Sequence, residues 1–142
     1  MSEARTLSLE DIQEGQTYTE DVSFSEELLE GFITLSQDRA LAHVDSDHAA
    51  RMGYDSGRIV HGLLVSMPYS RILGMFLPGS NTVIHQFSFD ALAPVTVGDR
   101  LTYTVKVSRV VTGVKTVVLA LEATNQDGVL VNRGRATCTF RL

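Results

Sequence analysis

The sequence is poor in several things, and each shortage narrows what the chain can be. It has one cysteine, Cys138, so no disulfide can form within the chain and a reducing, cytoplasmic setting is expected. Only Lys106 and Lys115 are lysines; the other ten of its twelve basic residues are arginines scattered along the chain. With a net charge of −5 and no basic block, a nucleic-acid surface is not expected. The first residues, Met-Ser-Glu-Ala-Arg-Thr-Leu, lack the apolar core of a secretion signal. No internal repeat and no low-complexity segment interrupts the 142 residues, a length at which one domain with a real core is the default, so a single domain over 1–142 is expected.

The longest apolar run is Ile59 to Leu77. Its apolar residues fall on nearly every face of a 3.6-residue wheel, which predicts a helix buried on most sides. Ser66, Pro68, Ser70, Arg71 and Gly74 interrupt it, and it falls short of the roughly 20 apolar residues of a membrane span, so no membrane association is expected. Pro68 removes one backbone donor and is expected to kink the helix. His61-Gly62 stands at its head, where free N–H groups and the positive end of the helix dipole favour an anionic oxygen.

Residues 1–15 read as a polar lead-in, and Gln16 to Val22 as a short strand. Ser23 and Ser25 ahead of Glu26 and Glu27 signal a helix start, and Leu28, Leu29, Phe32, Ile33 and Leu35 continue it to about Ser36. Asp47 or Ser46 can cap a short helix through Arg51 that Gly53 ends, followed by a loop from Tyr54 to Arg58. Beyond the Pro78-Gly79-Ser80-Asn81 turn, four strands are expected: Thr82 to Phe89, Arg100 to Val111, Lys115 to Thr124 and Val129 to Arg141. Leu101, Tyr103, Val105 and Val107 alternate with polar residues, as do Gly134, Ala136, Cys138, Phe140 and Leu142. Turns at Thr112-Gly113 and Asn125–Gly128 make the last three strands antiparallel neighbours. A sheet of this size can wrap the apolar helix, an α+β arrangement.

Chemistry concentrates between Ser36 and Gly62. Asp38 and His43 together offer a carboxylate and an imidazole, a pair able to hold a water, take its proton and return one elsewhere; a cap and a hydrogen-bonded imidazole would use the same residues. His43, Asp45, Asp47 and His48 are all competent metal ligands, but their spacing fits no zinc motif and capping accounts for the two aspartates, so no metal is expected. His85, in a strand, is expected to pack or hydrogen-bond there, and Tyr103 and Phe140 to lie in the core.

Several separated pieces carry a family resemblance in the right order. They are Ser36-Gln-Asp38 with His43-Val-Asp45, then Ala49-Ala50, then Gly57-Arg-Ile-Val-His61-Gly62-Leu-Leu-Val-Ser, then Phe87-Ser-Phe89 and Pro94-Val-Thr-Val-Gly98-Asp99. From about Phe24 to the C-terminus the chain resembles the MaoC-like (R)-specific enoyl-CoA hydratases. The resemblance implies a hot-dog fold, in which an antiparallel sheet wraps a long central helix. It implies Asp38 and His43 as the catalytic pair, the Gly62 backbone N–H as donor to a thioester carbonyl, and His61 and Met67 as candidates for the substrate pocket. It further implies an acyl-CoA or other acyl-thioester substrate, no cofactor, and a homodimer or larger even assembly. Many members have Asn-Pro where this chain has Ala40-Leu41, and a serine where it has Met67. A hot-dog thioesterase and a non-catalytic acyl-thioester-binding subunit are the alternatives.

Overall fold

The structure, a computed structural model, describes residues 2–142. A five-stranded antiparallel sheet is built from β1 (Thr17–Ser23), β2 (Thr82–Ala91), β3 (Arg100–Val111), β4 (Thr116–Thr124) and β5 (Leu130–Phe140), in the order β1-β3-β4-β5-β2. Four α-helices precede β2 among the described residues: α1 (Glu26–Ser36), the single turn α2 (Leu41–Val44), α3 (Ser46–Arg51) and α4 (Gly62–Met75). The expected strands thus form within one or two residues of their predicted ends, and β3, β4 and β5 are antiparallel neighbours.

The sheet curls round α4 because one face of each inner strand is apolar. Leu101, Tyr103, Val105 and Val107 of β3 and Val117, Leu119 and Leu121 of β4 are fully buried, together with Leu64, Tyr69, Ile72 and Leu73 of α4. Each large side chain removed from water contributes about 1.5–3 kcal/mol, so this cluster dominates the favourable side of folding. Cys138 of β5 belongs to it. Pro68 cannot donate to the carbonyl of Leu64, yet α4 runs unbroken through it. The Tyr103 hydroxyl adds a tie of its own, donating to the Val65 carbonyl at 2.5 Å.

β5 and β2 lie close. A Cβ on Gly134 would come 2.3 Å from the Ser88 carbonyl oxygen, so only glycine fits that register. Within β2 the pairing slips by one residue between Ile84 and Gln86, leaving His85 in the bulge and exposed; the expectation that it packs in the sheet is corrected. β2 is an edge strand whose Val83, Ile84 and Phe87 are all open to solvent.

Local signals mostly act as their chemistry dictates. The Ser25 hydroxyl accepts from the Leu28 N–H and starts α1, with Glu26 and Glu27 in the first turn. The cap of α3 is Asp45, not Asp47 or Ser46: its carboxylate accepts from the N–H groups of Asp47 and His48, which holds it below the usual carboxylate range. Leu142, grouped by alternation with the inward residues, lies beyond the last strand and is exposed. The polar lead-in is not loose. Ile12 is buried in the core, the Arg5 N–H donates to the Met75 carbonyl, and the Ser80 N–H donates to the Arg5 carbonyl. No helix among the described residues is long and apolar enough to cross a membrane.

Candidate active site

Three segments meet at the head of α4. The first is the loop after α1, which Gln37 turns with a left-handed φ of 60°. Asp38 follows, its N–H donating to the Ser36 hydroxyl and its Oδ1 accepting from the Ala40 N–H. This holds the carboxylate at the surface rather than in the core. The second segment is α2, absent from the sequence expectations, which carries His43 to within reach of Asp38. The third is the strand-like run before Gly62. Ile59 bridges to Thr96 and its N–H donates to the Ala42 carbonyl, while the Val60 N–H donates to the Val95 carbonyl.

The Pro94–Asp99 turn explains why that run is so firmly held. Gly98 adopts φ of 100°, a conformation that L side chains rarely adopt, and its N–H donates to the Phe24 carbonyl. Asp99 accepts from the Thr96 N–H through Oδ2 and from the Gln126 amide through Oδ1. Arg58, just upstream, pairs with Glu26 and Glu30 of α1.

Hydrogen bonding fixes the neutral tautomer of both imidazoles. His43 Nδ1 lies 2.6 Å from the Ile59 carbonyl, which can only accept, so Nδ1 carries the proton and Nε2 is left bare. His61 Nε2 lies 3.1 Å from the main-chain carbonyl of Asp38, so there the proton is on Nε2. The rings stack, centroids 3.7 Å apart and 21° from parallel. His61 is buried to 2% exposure, and burial holds its imidazole below the ordinary histidine range despite the hydrogen bond to the Asp38 carbonyl.

Asp38, His43 and His61 place one ligand-type atom each within 4.8 Å of the others. A metal is nonetheless poorly served. Imidazole lone pairs lie in the ring plane, so two stacked, nearly parallel rings keep theirs in separate planes, poorly placed to meet at one ion. The sequence group of His43, Asp45, Asp47 and His48 is divided among other tasks: Asp45 caps α3, and His48 contacts Arg51.

His43 and Gly62 share a cavity of about 270 Å³, whose walls include Tyr54, Val65, Val95 and Asn132. Gly62 is the first residue of α4, so its N–H has no partner within the helix. A Cβ there would meet only Phe89 Cε2, at 3.8 Å, so packing does not demand glycine at this position. Met67 lies elsewhere, half exposed on grooves between α4, α1 and β2. Asn132 went unnoticed in the sequence, although it shares the inward parity of Gly134, Ala136 and Cys138. It is fully buried, and a polar side chain at an inward position of a core strand was the available signal.

The model of the MaoC like domain family matches residues 8–127. An (R)-specific enoyl-CoA hydratase of Rhodospirillum rubrum is 37% identical over 90% of this chain and 88% of its own length. A 3-hydroxybutyryl-CoA dehydratase of Methylorubrum extorquens is 30% identical over 93% of this chain and 83% of its own. Among solved structures, an (R)-hydratase from A. caviae involved in PHA biosynthesis superposes with a TM-score of 0.85 at 29% identity, covering 91% of this chain and 97% of that one.

Proposed function

The chain belongs to the MaoC-like domain family, and from that premise we infer that it is a hydratase/dehydratase, interconverting 2-enoyl and 3-hydroxyacyl thioesters with acyl-CoA as substrate. One observation carries the reading to named residues: His43, whose neutral ring has Nε2 bare, and Gly62, whose N–H is unpaired within the helix, line one cavity, with the Asp38 carboxylate beside the imidazole.

The thioester sets the chemistry. Its carbonyl makes C3 of a 2-enoyl group electrophilic and C2 of the 3-hydroxyacyl group acidic. Water held between Asp38 and His43 Nε2 adds through oxygen to C3 as the pair takes one of its protons; the pair returns one proton to C2, and both groups end as they began. Charge gathers meanwhile on the thioester oxygen. The Gly62 N–H donates to it there, where a fixed dipole stabilises the transition state more than the ground state. Dehydration runs the same steps backwards.

The working unit we propose is one domain over the whole chain, acting in the cytoplasm as a homodimer or larger even assembly. Support for pairing comes from β2, an edge strand with apolar side chains facing solvent beside exposed Leu63 and Met67 of α4. A monomer by light scattering at assay concentration, still active, refutes the assembly. Incubation with a panel of 2-enoyl-CoA chain lengths tests the reaction. Loss of the conjugated enoyl absorbance without release of thiol is expected; thiol release makes the protein a thioesterase, and binding without change makes it a non-catalytic subunit.

A further inference from the structure

His61 has no task in the reaction as described, yet it touches every part of the machinery. Its ring is enclosed between Phe32 of α1, 4.8 Å away, and the face of His43. Its Nε2–H donates to the main chain of Asp38, and the same nitrogen lies 3.8 Å from the Asp38 carboxylate. It caps α4, so Gly62 is its immediate neighbour. Its Nδ1, by contrast, is buried with no hydrogen-bond partner. A phenyl ring would fill this space without stranding a polar atom, so packing alone does not account for an imidazole here.

We propose that His61 is a positioning residue of the hydratase, a clamp that holds the Asp38 loop by its donor nitrogen and the His43 ring by its flat face. The proposal rests on the functional reading above and adds a part to it. Among the described residues the Asp38 side chain is otherwise hydrogen-bonded only by the Ala40 N–H, on an exposed loop. His43 is anchored at one nitrogen by Ile59, which leaves the ring free to tilt about that bond; the stacked His61 removes the tilt. Both catalytic groups are thereby registered against Gly62 through one side chain. Misplacement of a reacting group by about 1 Å can cost on the order of 10²-fold in rate.

Two variants separate the clamp's arms. His61→Phe keeps a flat ring against His43 and loses the donor; His61→Gln keeps a donor and loses the ring. For His61→Phe, kcat is expected to fall about 10- to 100-fold with KM within about threefold of wild type and the melting temperature not lowered. Hydrogen exchange of the Ala40 amide, which reads the Asp38 carboxylate without any turnover, should quicken by about tenfold or more in the same variant. His61→Gln, which keeps the donor and frees the His43 ring, should return Ala40 exchange towards wild type while kcat stays lowered by about tenfold. The inference is overturned if His61→Phe keeps wild-type kcat and wild-type Ala40 exchange, if Ala40 exchange is as fast in His61→Gln as in His61→Phe, if His61→Gln keeps wild-type kcat, or if kcat and melting temperature fall together in both variants. A wild-type protein inactive on every enoyl thioester would condemn the functional reading instead, while the exchange measurement would still decide whether His61 holds the loop.

Discussion

The carbonyl of Ile59 decides which nitrogen of His43 is bare, and so gives a main-chain atom authority over the proposed chemistry. Removing either partner in proton transfer should be severe: Asp38→Asn and His43→Ala are each expected to lower the hydration rate by roughly 10²–10⁴-fold. Near-normal turnover in both, measured on an enoyl thioester, would undo the assignment. Gly62 offers a cleaner case, because its Cβ position is open and its φ is not one of the positive ones. Gly62→Val should therefore fold and melt near wild type while its side chain crowds the approach to the N–H, and kcat should fall by about 10²–10³. A variant with both properties of wild type would exclude that N–H. His61 also sets a limit at acid pH. In the unfolded chain it protonates near 6.5, whereas burial keeps the folded imidazole neutral to lower pH. Between those values the unfolded state binds more protons, so its contribution to stability is whole above 6.5 and is lost as pH falls through that window. The melting temperature should drop on acidification below 6.5, and less so in His61→Gln.

At the level of elements, α4 is tied to the sheet by a buried polar line as well as by apolar packing. The Tyr69 hydroxyl donates to Asn132 Oδ1, Asn132 Nδ2 donates to the Ser66 hydroxyl, and that hydroxyl donates to the Gly62 carbonyl. The line runs from β5 into the first turn of α4. Tyr69 is ionised with difficulty because burial raises its hydroxyl well above the phenol range, so it stays a donor at all ordinary pH. Tyr69→Phe would leave Asn132 Oδ1, on a fully buried side chain, without its donor, at a cost of about 1–3 kcal/mol. Urea unfolding of that variant should show the loss as a lower midpoint with an unchanged slope.

Over the molecule as a whole, what could be read from sequence divides by the range of the cause. Strand limits and the central helix were legible because alternation, apolar runs and turn residues act locally; β3 begins at Arg100 and ends at Val111 as expected. The candidate set of Asp38, His43 and Gly62 came from pieces of a family pattern, and the way α2 brings Asp38 and His43 together was not in that pattern. α2 escaped because four residues hold too little of a period to detect. The exposure of His85 follows from a bulge that shifts side-chain parity midway through β2. The burial of His61 depends on α1 and α2 closing over it, two contacts that no local pattern contains. Cys138 combines both kinds of cause: its inward parity is local, its complete enclosure is a product of the whole sheet. Burial pushes its thiol up to about 12, so it is neither accessible nor a thiolate in the folded protein. A single sulfur so placed serves as a molecular stopwatch. Its modification by a thiol reagent at neutral pH should wait for the sheet to come apart, so the rate at which label accumulates counts global opening events one molecule at a time. Rapid labelling under native conditions would mean that β5 detaches on its own, without the rest of the fold.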